Sequence, residues 1–409
     1  MRVGILGSGL MGGKLGTIFA RAGHEVVFSY TRSNDKLKRL ARDAQGNARA
    51  GTPGEAAKEA DALLLAVHWS RIDDVLKQAG QSAEFISCTQ TLCFRHQSGF
   101  RYRHNRQGRI TMNSKQVVLI TGSSTGFGRL FAETLARKGH TVFATMRDPI
   151  GRNAKNASEI RTLAEKESLP IHVLEVDVTD DASVGRAVDA AVAKAGRIDV
   201  AINNAGYYLS GLAEAVTTEQ AQRLMDTNFL GPVRVNRAVL PHMRRQRSGV
   251  LMHISSGAGR VILPSAGFYC ASKFALEALA EAYSYELAAQ GIESVIVEPG
   301  QYETPVFGNT VTAADQARTN TYGAAKEFPA KINGALSSTA GNAQEVADVV
   351  LGIIETPAGE KQLRYFVSPQ NFGVNEINAL AKQIQSKVLE GFGLGADTKF
   401  LKGKAVGSV

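Results

Sequence analysis

The sequence predicts an α/β fold: a complete, doubly wound parallel sheet from Met112 onward, preceded by a partial βαβ unit. One pattern begins twice, near residue 2 and again near residue 116, as an apolar run, a glycine-rich turn, an amphipathic helix, Gly-His and a second apolar run. The joins Ala22-Gly23-His24-Glu25-Val26-Val27-Phe28 and Lys138-Gly139-His140-Thr141-Val142-Phe143-Ala144 are near-duplicates. Strand-like and helix-like segments also alternate through the rest of the chain, which argues a parallel sheet with helices on both faces.

Taken in order, Val3–Leu6 and Val26–Tyr30 read as the first two strands, and Pro53–Glu59 as a helix leading into a third strand at 62–67. A fourth is expected at Phe85–Ser87, after which periodicity stops, so this unit has half the strands of a full sheet. Residues 89–111, dominated by Arg, His and Gln, read as a basic, disordered linker. The domain bounds are therefore 1–88, 89–111 and 112–409. Beyond Met112 the expected strands are Val117–Ile120, Thr141–Ala144, Ile171–Glu175, Val200–Asn203, Val250–Ile254, Ser294–Val297 and Leu363–Val367. Met112-Asn113-Ser114-Lys115 resembles a start of its own, and residues 1–111 are expected to be dispensable for the activity of the second unit.

Composition narrows the function classes. At 409 residues, 44% hydrophobic and 21% charged, the chain is globular and longer than one ordinary core requires. No apolar run reaches the ~18 residues of a membrane span, and no signal-peptide pattern opens the chain. Cys88, Cys93 and Cys270 are too few for a disulfide framework, so a cytoplasmic location is expected. The net charge of +9 is local. Arg95, Arg101, Arg103, Arg106, Arg109, Lys115 and Arg129 fall in a stretch between Glu84 and Glu133 that holds no acid, so the excess does not mark a binding face.

The first glycine turn, Gly7-Ser8-Gly9-Leu10-Met11-Gly12, follows a strand and opens a helix. Gly7 lets the chain turn, Gly9 admits a pyrophosphate to the backbone, and Gly12 lets the helix pack closely with its N-terminal dipole toward phosphate. No acid follows the second strand in Ser29-Tyr30-Thr31-Arg32-Ser33, which favours a ribose 2′-phosphate. Residues 1–88 resemble the nucleotide-binding half of deazaflavin-dependent NADP reductases, without the part that would hold the second substrate.

The second turn, Thr121-Gly122-Ser123-Ser124-Thr125-Gly126-Phe127-Gly128, makes a wider loop in which Ser123 and Ser124 are extra hydroxyl donors for phosphate. An ordered set of residues comes after it. Asn203-Asn204-Ala205-Gly206 ends one strand, Asn228 lies in the next helix, and Ser255 and Ser256 end another strand. Tyr269 and Lys273 make Tyr-x-x-x-Lys at the start of a helix, and Pro299-Gly300 follows a strand, with Thr304 shortly after. Each alone is weak; their order at strand ends is where an open α/β sheet binds its ligand. Tyr269 and Lys273 share a helix face, and the ammonium is expected to lower the phenol's pKa from ~10 toward neutrality. Tyr269 can then serve as general acid or base while a serine hydroxyl holds the substrate oxygen.

This order is similar to that of the short-chain dehydrogenase/reductase family, over residues 112–409, and Phe268-Tyr269-Cys270-Ala271-Ser272-Lys273-Phe274-Ala275-Leu276-Glu277-Ala278 resembles its 17β-hydroxysteroid and retinol dehydrogenase branch. The resemblance implies a Rossmann fold, complete here and partial in residues 1–88. It implies the catalytic set Asn228, Ser256, Tyr269 and Lys273, with Ser256 chosen over Ser255 by its spacing from Tyr269. Lys273 would also hold the nicotinamide ribose and Asn228 a proton-relaying water. Asp177 would contact adenine and Thr304 the carboxamide, while Gly122, Ser123, Ser124, Gly126, Phe127, Gly128, Asn204, Ala205, Gly206, Pro299 and Gly300 complete the cofactor site.

Arg147, just past Thr145-Met146, suits a 2′-phosphate, so NADP(H) is expected, with NAD the alternative that Asp148 keeps open. Tyr207, Tyr208, Phe268, Tyr302, Val306 and Phe307 suggest a small apolar carbonyl or alcohol as substrate, and 310–338 a lid. Cys88, Cys93, His96 and His104 are too irregularly spaced for zinc, so no metal is expected. A homo-oligomer without nucleic-acid or membrane partners is expected. A noncatalytic NADP sensor and a linker-driven nucleic-acid binder are the rival readings.

Overall fold

The computed structural model describes residues 2–31, 33–58, 60–67, 72–79, 115–302, 310–338 and 340–398, in two compact units, 1–111 and 112–409. The expected strand at Phe85–Ser87, the linker 89–111, Cys88, Cys93, His96 and His104 lie outside the described residues.

In the first unit, β1 (Arg2–Leu6), α1 (Leu10–Arg21) and β2 (Glu25–Ser29) alternate as expected, and α2 (Asn34–Asp43), a helix the sequence did not single out, follows. They continue through β3 (Ala48–Ala50), α3 (Pro53–Ala57), β4 (Ala62–Leu65) and α4 (Ile72–Gln78). Among the described residues the strands form a parallel sheet in the order β3-β2-β1-β4. The sequence reading missed β3, whose three residues Ala-Arg-Ala carry no apolar run; it pairs with β2 at Val26 to Phe28. Val3, Ile5, Val26, Phe28 and Leu64 fill one face of the sheet, and Leu6, Val27 and Leu63 the other.

The second unit opens with β5 (Val117–Ile120), α5 (Gly126–Arg137), β6 (Thr141–Met146), α6 (Ala154–Glu167), β7 (Ile171–Glu175) and α7 (Asp181–Ala195). Next come β8 (Val200–Asn203), β9 (Leu209–Ser210) and α8 (Thr218–Met225), which runs through a π-helical turn, Asp226–Leu230, into α9 (Gly231–Gln246). After β10 (Gly249–Ile254), α10 (Gly267–Glu286) and β11 (Ile292–Pro299), β12 (Val311–Thr312) pairs with β9. The rest is α11 (Gln316–Asn320), α12 (Phe328–Ser338), α13 (Gln344–Glu355), β13 (Arg364–Val367) and α14 (Val374–Gly391).

The main sheet is parallel, in the order β13-β11-β10-β8-β5-β6-β7 among the described residues. Its strands read as unbroken apolar runs because both faces are covered; every residue of β5, β8 and β10 is buried. One core packs α5, α6 and α13 on the sheet, and the other packs α7 and α9. The chain winds outward from β5 in both directions, so β5 and β8 part at their carboxyl ends and a crevice opens between the loops that leave them. The expected lid, 310–338, is mostly helical and is held by Gln220, whose amide donates to the Thr312 carbonyl at 2.8 Å.

Candidate active site

A cleft of about 960 Å³ lies along the carboxyl ends of β5, β6, β8, β10 and β11. The loop after β5 forms its floor at one end. Gly122 has φ +69° and Gly126 φ +58°, left-handed values that favour glycine. Thr121 Oγ accepts from the amides of Asn204 and Ala205, both at 3.0 Å, and Asn204 Nδ2 donates to the carbonyls of Thr121 and Gly122 at 2.9 and 3.0 Å. A Cβ on Gly128 would strike the Gly122 carbonyl and lie 2.6 Å from Asn204 Nδ2. Gly128 is thus required beneath the loop, while Gly122, Ser124, Gly126 and Phe127 line the cleft. Ser123 corrects the sequence reading: it is fully buried and its hydroxyl donates to the Ile120 carbonyl at 3.1 Å, so it is turned away from any phosphate.

Arg147 and Arg152 line the cleft beyond β6. Asp148, which left NAD open in the sequence, has φ +44°, and its carboxylate accepts from the amides of Gly151 (2.9 Å) and Arg152 (2.7 Å). That acid closes a turn and brings Arg152 to the cleft. Asp177 also lines it; burial opposes its charge, but hydrogen bonds from Thr179 and the nearby Arg147 and Arg234 hold its carboxyl below the usual range. Arg152 was missed because it sits in an irregular loop beyond the strand.

At the other end stand the residues expected to do chemistry. Ser256 caps a 3₁₀ turn, accepting from the Ala258 amide at 3.1 Å, and its hydroxyl faces Tyr269 and favours the phenolate. Ser255 instead donates to Glu277 at 2.7 Å. The Tyr208 ring meets Tyr269 edge-on at 5.0 Å. Lys273 Nζ lies 5.8 Å from the Tyr269 ring centroid and donates to the Ile254 carbonyl at 2.9 Å, leaving two N–H donors for the cleft. The expected lowering of the phenol does not appear. Burial pushes Tyr269 up to about 12 against the help of Ser256, and burial also pulls Lys273 down to about 8. Desolvation is the largest influence on each group.

Asn228 lies in the π-helical turn with both its amide protons used: Oδ1 accepts from the Tyr207 amide (3.0 Å), and Nδ2 donates to the Tyr207 carbonyl (3.0 Å) and Ser272 Oγ (3.2 Å). It braces the loop after β8 against α10. Ala205, Gly206, Pro299 and Gly300 line the cleft, whereas Thr304, Val306 and Phe307 lie outside the described residues. Phe268 packs with Leu209 and Leu212 and does not line the cleft. In the first unit, Gly7 has φ +114°, Gly9 has open space around it, and a Cβ on Gly12 would strike the Gly7 carbonyl. Gly7 thus makes the turn, and Gly12 the close packing of α1, read from their spacing.

A glycine loop flooring the crevice at the topological switch of a parallel sheet is the nucleotide-binding arrangement of Rossmann-like α/β folds. The chain belongs to the short-chain dehydrogenase/reductase family. The family model described as short chain dehydrogenase matches residues 116–315, and that described as NADP oxidoreductase coenzyme F420-dependent matches 2–90. A 3-ketodihydrosphingosine reductase of Bacteroides thetaiotaomicron is 41% identical over 47% of this chain and 66% of its own length. Human 17-beta-hydroxysteroid dehydrogenase type 1 is 33% identical over 62% of this chain and 78% of its own. Among solved structures, a short-chain dehydrogenase from Streptomyces avermitilis superposes with a TM-score of 0.57 at 28% identity, covering 70% of this chain and all of the other.

Proposed function

We propose that the second unit is an NADP(H)-dependent oxidoreductase that interconverts an apolar ketone or aldehyde and its alcohol. The convergence of Ser256, Tyr269 and Lys273 on one wall of the cleft carries this reading. A dinucleotide fits the chain's own shape: the cleft holds about 960 Å³, and Gly122, Gly126, Gly206 and Gly300 present bare backbone along it. Gly122, Ser124, Gly126 and Phe127 would hold its pyrophosphate, Arg147 and Arg152 a 2′-phosphate, Asp177 its adenine side, and Ala205, Gly206, Pro299 and Gly300 its nicotinamide half. When bound, the cofactor supplies or takes the hydride.

The chain's own groups handle the proton. A phenol pushed up to about 12 is protonated at neutral pH, so in reduction Tyr269 donates to the developing alkoxide, which Ser256 steadies. Lys273, an ammonium below about 8, stabilises the phenolate left behind and offers its remaining N–H donors to ribose hydroxyls. In oxidation the same phenolate receives the proton. Asn228 would support proton return through water. Val261, Leu263, Leu336 and Phe366 border the substrate end of the cleft and favour an apolar body. The substrates named in the two relatives above point the same way.

A panel of apolar ketones and secondary alcohols, followed by NADPH absorbance, tests the reading. Tyr269→Phe should lower kcat at least ~10²-fold while leaving NADPH affinity nearly unchanged. Turnover retained by the variant on every substrate would overturn the assignment.

A further inference from the structure

Behind the cleft lies a buried group of charges that the chemistry above does not use. Glu277 stands one helical turn beyond Lys273 on α10 and is 1% exposed. Its Oε1 accepts from Ser255 Oγ at 2.7 Å, and its Oε2 accepts from Arg364 Nε, on β13, at 3.3 Å. The Arg260 guanidinium approaches to 3.8 Å. Arg364 also reaches Glu281 on α10 at 2.7 Å and Glu298 on β11 at 3.3 Å, and Asn378 on α14 donates to Glu298 at 2.6 Å. A Cβ on Gly259 would strike Glu277 Oε1 and lie 2.7 Å from Ser255 Oγ, so the turn after β10 presses directly on this carboxylate.

A buried ion cluster is poor evidence of stability in itself, because desolvation offsets most of its attraction. What sets Glu277 apart is where it points. On one side it holds the residue next to Ser256, and on the other it faces Lys273 along the helix. We propose that Glu277 is a positioning residue for the Ser256–Tyr269–Lys273 site. It fixes the strand end that aims Ser256 at the phenol, and it keeps Lys273 an ammonium. This rests on the reading that Tyr269 and Lys273 carry the proton chemistry.

The surrounding charges agree. Burial pulls Lys273 down, and Glu277 is the charge that opposes it. Burial raises Glu277 too, but Ser255, Arg364 and Arg260 favour its anion. Glu298 is pushed up to about 8 by burial and by the charge of Glu277, while Asn378 and Arg364 favour its anion. Around Lys273 the polar groups are Tyr269 and Glu277 on its own helix, the Ile254 carbonyl on β10, and Asn228 across Gly206. Around Glu277 they are Ser255, Arg260, Glu281, Glu298 and Arg364. The ammonium is present below its midpoint and lost as pH rises through it, so removing the anion moves that loss to lower pH.

The test is a pH titration of the full chain labelled at lysine ¹³Cε and followed by NMR, with the Lys273 resonance assigned by its disappearance in Lys273→Met. Glu277→Gln should lower the Lys273 midpoint by roughly one pH unit, and Glu277→Asp, which keeps the charge, should stay near the wild type. The alkaline limb of turnover should move with the midpoint. A folded Glu277→Gln with an unmoved midpoint would overturn the proposal, as would a lower melting temperature in both variants with no change of titration. If Glu277→Gln does not fold, Ser255→Ala, which frees the strand end from the carboxylate, should lower kcat several-fold while the Lys273 resonance still titrates near the wild-type midpoint; an unchanged kcat then refutes the proposal. The midpoint needs no substrate, so this inference and the role of Tyr269 can fail separately.

Discussion

Tyr269 and Lys273 show how far residue types alone can be read. Their spacing is visible in the sequence, and so is the pairing of a phenol with an ammonium. The direction of the phenol's shift is not, because it depends on how deeply the fold buries the phenol, and burial is the largest influence on it here. Ser123 has the same lesson, since a hydroxyl in a glycine loop can face ligand or strand, and only the packing of β5 decides. At the far end of the cleft, Asp148 loses the weight the sequence gave it and Arg152, unweighed there, gains it: the acid is spent on two amides, and the cation is delivered. Arg147→Ala and Arg152→Ala should each weaken NADPH binding about tenfold and leave NADH nearly unaffected, as for the loss of a hydrogen bond to a charged group. Fluorescence titration with both nucleotides checks this.

Among the elements, the buried parallel strands were the most legible, because a strand covered on both faces is an unbroken apolar run. The shortest strands were not: β3 is three residues long and carries Arg49, while β9 and β12 have two residues each. The π-helical turn holding Asn228 was likewise invisible, since its composition is that of an ordinary helix. Arg364 and Glu277, 87 positions apart, meet only because β13 adds to the edge of the sheet beside β11. The glycine loop gives the sharpest prediction at this scale. Gly128→Ala places a methyl against the Gly122 carbonyl and Asn204, so it should cost about 1–3 kcal/mol of stability and reduce NADPH affinity. Chemical denaturation and nucleotide titration of one sample measure both effects.

At the scale of the whole molecule, the four-stranded and the seven-stranded parallel sheets among the described residues each have their own apolar cores, and the catalytic candidates all belong to the second. The residues from Met112 to Val409 expressed alone should therefore fold, bind NADPH and turn over the same substrates as the full chain, as circular dichroism and the absorbance assay would report. A folded but inactive product would mean that the first unit contributes to the reaction. The single hydroxyl of Thr121 receives two amides from the far side of the crevice, while the Asn204 side chain grips the loop from the same side. A visiting nucleotide accordingly meets a finished mould and has little chain to freeze, so its capture should be quick, and differences among nucleotides should appear chiefly in how long each one stays.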